Sequence, residues 1–257
     1  MSFVSLLQPD ESDPVLVANP SGSSDFLLAC DHAGRLLPRR LGTLGLPDSE
    51  MRRHIGWDIG IWAVTQRLST ELDALAIGQR YSRLAIDCNR TPGVPSSIPQ
   101  ISESTRIPGN ADLSQAERDA RERELFRPYH DRLAAELDRR ADRPTLLVAM
   151  HSFTPVYLDV PRPWHAGVLF NRDDRLARII LDLLRAEPGL VVGENEPYAV
   201  SDLTDYTVPV HAERRGLAHV ELEIRQDLIA DAVGQARWAD LLARLLPAAA
   251  ERLALAR

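Results

Sequence analysis

Short apolar runs alternate with polar segments of helical spacing along this chain. Phe26–Cys30 and residues 74–77, 146–150, 167–170 and 190–192 are apolar with little polar alternation. Such runs predict strands buried on both faces, as in a parallel sheet. Residues 84–86 read as one more short strand, and 217–224 as a strand that alternates towards its end. Between them lie helix signals. Asp48 is the expected N-cap of a segment reaching Leu72, with Ile55, Ile59, Trp62 and Leu68 near helical spacing. Ser114 is placed to cap a long charged helix running through Tyr129 and His130 towards Arg140, with a kink expected at Pro128. Residues 174–186 and 208–215 read as helices. An amphipathic helix over 236–246 is expected to be kinked or interrupted by Pro247 before a last stretch at 248–255. This alternation predicts a three-layer α/β domain.

Residues 1–24, rich in Pro, Ser, Asp and Gly, read as an N-terminal arm, and 25–257 as a single domain. The longest irregular stretch is 91–112, which holds Pro92, Pro95, Pro99 and Pro108. A loop of this length inside a domain is usually functional. It is read as the wall or lid of a cleft, with a plain surface excursion as the alternative.

Composition narrows the function classes. With 257 residues the chain can bury a full core without staples. A net charge of −7 argues against a general nucleic-acid binder. It leaves small anionic substrates open, because those respond to the field of a cleft. No apolar run reaches membrane-span length, and residues 1–5 carry no basic segment of a signal peptide. The two cysteines, Cys30 and Cys88, sit in or beside apolar runs and form no CxxC pair. They read as small core residues in a reducing, cytoplasmic compartment, with a thiol near the site as the other reading of Cys30.

Two of the apolar runs lead into a histidine: Cys30-Asp31-His32 and Met150-His151. Open α/β sheets bind ligands at the carboxyl ends of their strands, and imidazole there can hold a metal or move a proton. Catalytic zinc usually takes three side chains and keeps a position open. Many zinc peptidases place a glutamate three residues after the first histidine, but here that position is Arg35. Asp58, expected on the helical segment that follows, is the leading alternative, and Asp31 could orient an imidazole. In extended form Arg83, Asp87 and Asn89 would share one face, with Arg90 following. Two arginines and an asparagine could hold a substrate carboxylate and polarise a carbonyl; a structural Arg83–Asp87 ion pair is the simpler reading. Glu221 and Glu223 share a strand face, and Glu223, nearer the end, is the expected general base. Alternatively, that face is the solvent side of an edge strand. His130 and His211 are more simply structural or solvated residues than site residues.

These pieces, in their order and spacing, resemble the N-formylglutamate amidohydrolase family, and in particular its predicted branch. The matching segments are Asp31-His32-Ala33-Gly34, Trp57-Asp58, Ser82-Arg83, Asp87-Cys88-Asn89-Arg90-Thr91-Pro92, Met150-His151-Ser152-Phe153, Asn195-Glu196-Pro197-Tyr198 and the run from Val220 to Leu228. The resemblance implies a phosphorylase/hydrolase-like α/β/α sandwich with a mixed central sheet, similar to zinc carboxypeptidases and aspartoacylases. It implies Zn2+, or another divalent metal, on His32, Asp58 and His151. Glu223 falls at the general-base position, and Arg83, Asn89 and Arg90 fall where such enzymes bind a substrate carboxylate and stabilise the oxyanion. The implied activity is metal-dependent hydrolysis of the amide of an N-acyl, above all N-formyl, amino acid with a free carboxylate. A peptide or cell-wall amide carboxypeptidase and a non-catalytic ligand-binding relative are the rival readings.

Overall fold

The structure, a computed structural model, describes residues 5–256. Most of the segment read for a signal peptide, and the first part of the expected arm, lie outside these residues. One mixed sheet of seven strands organises the rest: β1 (Val15–Ala18), β2 (Phe26–Cys30), β3 (Leu75–Gln79), β4 (Leu146–Phe153), β5 (Ala166–Leu169), β6 (Val192–Glu194) and β7 (Ala218–Arg225). Their order is β1-β3-β2-β4-β7-β5-β6. The four central strands β3, β2, β4 and β7 run parallel, which explains their continuous apolar sequences. β1, drawn from the expected arm, pairs antiparallel on one edge, and β5 pairs antiparallel with β7 towards the other.

Helices cover both faces. They are α1 (Asp48–Met51), α2 (Ile61–Glu71), α3 (Gln115–Arg121), α4 (Arg127–Arg139), α5 (Arg175–Arg185) and α6 (Ala232–Leu255). Ile61, Val64 and Leu68 of α2, Ile180 and Leu184 of α5, and Leu242 and Leu246 of α6 pack on Phe26, Leu28, Val148 and Val220. On the opposite face Leu125, Phe126, Tyr129 and Leu133 pack on Leu27, Ala29, Ile77 and Leu147. Each fully buried side chain of this size contributes about 1.5–3 kcal/mol. The result is the expected α/β/α sandwich. Among the described residues no helix is long and apolar enough to cross a membrane.

Four local expectations are corrected. Residues 84–86 form turns rather than a strand. Their apolar side chains are buried by cover, with Asp87 N–H donating to the Ser97 carbonyl of the overlying loop. The segment from Asp48 is not one helix. Pro47, not Asp48, precedes α1, which ends at Met51, and α2 starts at Ile61 after Gly60. Gly60 has φ +80°, and a Cβ there would lie 2.1 Å from the Ile229 carbonyl oxygen, so only glycine fits. Asp58 therefore sits in the turn before α2 rather than on a helix. The Ser114 capping box forms as expected, but the helix passes Pro128 through a π-helical turn at Glu122–Phe126. That turn shifts the ladder where proline lacks its N–H. α6 continues through Pro247, held along its length by packing on α2 and α5.

The 91–112 stretch is anchored at its base. Asn110 is fully buried and donates to the Leu84 and Pro99 carbonyls. Arg121, also buried, donates to Asn110 Oδ1 and to the Ala85 carbonyl. The stretch holds a small ribbon, Ile101–Ser102 against Thr105–Arg106.

Candidate active site

The sheet order brings the two histidines together. β2 and β4 are adjacent and parallel, so His32, just beyond β2, and His151, on β4, meet with ring centroids 5.1 Å apart. β7 lies on the other side of β4, and its register sets Glu223 directly beside His151. Strand alternation turns His151, Glu221 and Glu223 to one face, while Val220, Leu222 and Ile224 pack into the core on the other. The β7 strand is interior and both glutamates are buried, so they do not form a solvent-facing edge.

Asp58 completes the group. Its turn is stitched to both strand ends: Asp58 N–H donates to the His32 carbonyl, Ser152 N–H donates to Asp58 Oδ2 at 3.2 Å, and Ser152 Oγ donates to the Ile59 carbonyl. Asp58 Oδ2 lies 3.0 Å from His151 Nδ1 and 3.4 Å from His32 Nδ1. The other nitrogen of each ring is tied to a further carboxylate. His32 Nε2 lies 2.7 Å from Asp87 Oδ1, and His151 Nε2 lies 3.1 Å from Asp31 Oδ2. His32 Nδ1 is buried and makes no hydrogen bond. One donor atom each from His32, Asp58 and His151 fall within 4.8 Å of one another. Two imidazoles oriented by carboxylates, with their second nitrogens converging on a third carboxylate, are a donor set that suits a divalent metal.

The electrostatics follow from burial. Asp58, Asp31 and Asp87 are all fully enclosed, which works against their charge. The imidazoles beside Asp58 and Asp31, and Arg83 with His32 beside Asp87, outweigh that and hold all three carboxyls below the usual range. Burial lowers and Glu221, Asp31 and Asp58 raise the pKa of His151, and the carboxylates win. Glu221 and Glu223 go the other way, each pushed up to about 8, chiefly by burial. A carboxyl whose folded pKa lies above its ordinary 4.5 adds stability at low pH and loses it as pH rises through the folded value. In urea titrations of metal-free protein, Glu221→Gln should therefore remove part of the loss of unfolding free energy that the raised carboxyls cause between about pH 5 and about pH 8, read as the difference between variant and wild type. A pH dependence identical in Glu221→Gln and wild type would contradict the assignment.

All seven expected site residues line one cleft of about 480 Å³. His32, Asp58, His151 and Glu223 stand at its floor, and the 91–112 stretch supplies a wall through Ser96, Pro99, Ile101 and Glu103. The arginines are less free than expected. Arg83 donates twice to Asp87 Oδ2 and once to Asp58 Oδ1, so the simple ion pair does form. Arg90 is spent on the Asn89 carbonyl and Asp205. The Asn89 amide donates to Asp205 and accepts from the Tyr206 and Thr207 N–H groups. Its observed work is holding the 205–207 turn, whose Thr207 Oγ1 in turn donates to Asp31.

Asp87, Asp205 and Thr207 in these supporting roles were not foreseen from sequence. Only the Arg83–Asp87 spacing hinted at one of them. The cysteine thiols are buried in the core and that burial raises their pKa values, as small core residues would show. His130 and His211 bond to each other at 2.9 Å outside the cleft. Burial lowers their pKa values to about 4 and about 3, so they are neutral structural groups.

Comparison with known proteins bears on the fold and the family. No curated protein matches the chain. The gene product Atu2144 from Agrobacterium tumefaciens is similar at 40% identity and TM-score 0.93, over 96% of this chain and 99% of its own. An N-formylglutamate amidohydrolase from Ralstonia eutropha JMP134 shares the fold at 20% identity and TM-score 0.72, over 93% and 98% of the two chains. The family model for N-formylglutamate amidohydrolase matches residues 24–230, a span that takes in every side chain of the cleft floor. The chain belongs to the N-formylglutamate amidohydrolase family of amide-cleaving hydrolases.

Proposed function

We propose that this protein is a divalent-metal amidohydrolase, with zinc the metal, that removes the formyl group from N-formyl amino acids. The observation that carries the reading is the buried, unbonded His32 Nδ1, facing the same Asp58 oxygen as His151 Nδ1 while both Nε2 atoms are anchored. His32, Asp58 and His151 would hold the ion. When bound, such an ion supplies Lewis acidity towards a carbonyl oxygen and lowers the pKa of a water.

The chain's own groups do the rest. Glu223, beside His151, takes a proton from the attacking water and returns it to the departing amide nitrogen. Arg83 keeps Asp58 and Asp87 in place and presents its partly exposed guanidinium to the carbonyl oxygen as charge develops there. Asn89 and Arg90 fix the 205–207 turn that completes the floor. Residues 25–257 would act as one catalytic domain, and two unpaired cysteines fit a cytoplasmic setting.

The test is a panel of N-formyl and N-acetyl amino acids and short peptides, assayed before and after chelation. Formate release from formyl amino acids that disappears with chelator and returns with zinc is expected. Cleavage of peptides alone would favour a carboxypeptidase. Activity indifferent to chelation would overturn the metal.

A further inference from the structure

The apolar and aromatic residues that line the cleft, among them Ile55, Pro99, Ile101, Phe153, Tyr157 and Tyr198, have no part in the scheme above. Contacts tie them into one rim. Ile101 belongs to the first ribbon, and Tyr157 to a second formed by Val156–Tyr157 and Val160–Pro161. The two ribbons meet where Leu158 N–H donates to Glu103 Oε1 at 3.3 Å. His54, next to Ile55, stands edge to face with Tyr157, their ring centroids 6.4 Å apart. Arg162 does not itself line the cleft, but it fixes the aromatic part of the rim from outside. Its guanidinium carbon lies 4.7 Å from the centres of the Tyr157 and Tyr198 rings and 5.9 Å from that of Phe153, and it donates to the Tyr198 hydroxyl at 2.8 Å.

The charged groups of the cleft wall are already matched to one another. Glu103 pairs with Arg53 and lies 3.6 Å from His54, whose burial favours the neutral ring. Arg83 and Arg90 are the arginines that line the cleft among the described residues, and they are tied to Asp58, Asp87 and Asp205. The sequence contains no lysine. What the wall leaves open is apolar: Ile101 is 54% exposed and Tyr198 44%. An apolar group laid on these side chains removes their surface, and its own, from water. A carboxylate in the same place would leave water with no free cation to receive it, beside a wall that already carries Glu103 and Asp205.

We propose that this rim receives the side chain of the substrate, and that it selects N-formyl amino acids whose side chain is neutral and apolar, leucine-like or aromatic, against those carrying a second carboxylate. This rests on the amidohydrolase reading and narrows it. The α-carboxylate is common to all such compounds, so the choice among them falls to the rim. Ile101 and Tyr198 are then specificity-determining residues. The selection separates this chain from the glutamate derivative for which its family is named.

The experiment measures kcat/KM of the zinc-loaded protein for the N-formyl derivatives of leucine, phenylalanine, glutamate and arginine. The leucine and phenylalanine compounds should exceed the glutamate compound by about 10–100-fold. Tyr198→Ala should raise KM for N-formylleucine by about 10-fold with kcat little changed, and leave N-formylglutamate nearly as it was. Ile101→Arg, at an exposed position of the ribbon, should reverse the order by adding a cation where the wall has none to spare. A glutamate or arginine compound that matches or exceeds the leucine compound in wild type would overturn the proposal, as would an order that neither variant moves. Calorimetric binding of N-formylleucine and N-formylglutamate to Glu223→Gln protein separates the two readings. Tighter binding of the leucine compound, with no formate released from it by wild type, keeps the rim as receptor and removes the hydrolase. Equal binding, or a preference for the glutamate compound, removes the receptor alone.

Discussion

Glu223→Gln is expected to lower kcat by about 10²–10⁴-fold, the usual worth of a positioned general base, with KM and metal content near wild type. The side chain is isosteric and Glu223 is 6% exposed, so the change removes a proton acceptor without opening a cavity. Glu223 Oε2 is buried and has no hydrogen-bond partner, so no internal network is lost with it. Its pKa, pushed up to about 8 mainly by burial, makes it a stronger base than an ordinary carboxylate when ionised. Glu221 shares the same elevated pKa and its charge also acts on His151, but in the register it stands opposite Ala149, two residues farther from the strand's carboxyl end than Glu223. Glu221→Gln should therefore cost far less. Steady-state kinetics on the two variants check this. A Glu223→Gln enzyme within a few-fold of wild type would remove Glu223 from the chemistry.

Asp58→Asn is expected to weaken metal binding by more than the 10–100-fold that follows when a group merely orienting a ligand is lost. Competition with a chromophoric chelator would measure it, and activity at stoichiometric metal should fall with it. One oxygen of Asp58 faces both Nδ1 atoms and the other accepts from Arg83. The neutral amide can replace neither the ligand charge nor the ion pair, so Arg83 is left half compensated. Without metal the imidazoles are biased towards protonation, His151 strongly, by the carboxylates around them. Metal loading must displace those protons, so affinity should also fall as pH is lowered. Wild-type occupancy in Asp58→Asn would show that the ion is held elsewhere.

The chain advertised its central strands plainly, because a parallel strand buried on both faces needs an unbroken apolar run. It also showed which strands end in histidine. It could not show that β2 and β4 are neighbours, since strand order depends on how distant segments pack. The same limit hid Asp87 as the anchor of His32, 55 residues away, and that the ring Asp31 orients, as expected of it, is His151 rather than its neighbour His32. Residues 84–86 misled because apolar side chains are buried equally well by a covering loop as by strand pairing. The helix expected from Asp48 broke after Met51, and Gly60, held close to the Ile229 carbonyl, sets where the next helix begins.

The anchoring of the 91–112 stretch separates two kinds of evolutionary freedom. Arg121 and Asn110 bolt its base to the frame, while the ribbon tip brings Ser102 and Glu103 to the cleft wall. Lengthening, shortening or recharging that tip would reshape what enters without disturbing the strands that carry the reaction. A lineage could thus trade one acyl amino acid for another by editing a few residues of a replaceable rim, with the catalytic floor inherited unchanged.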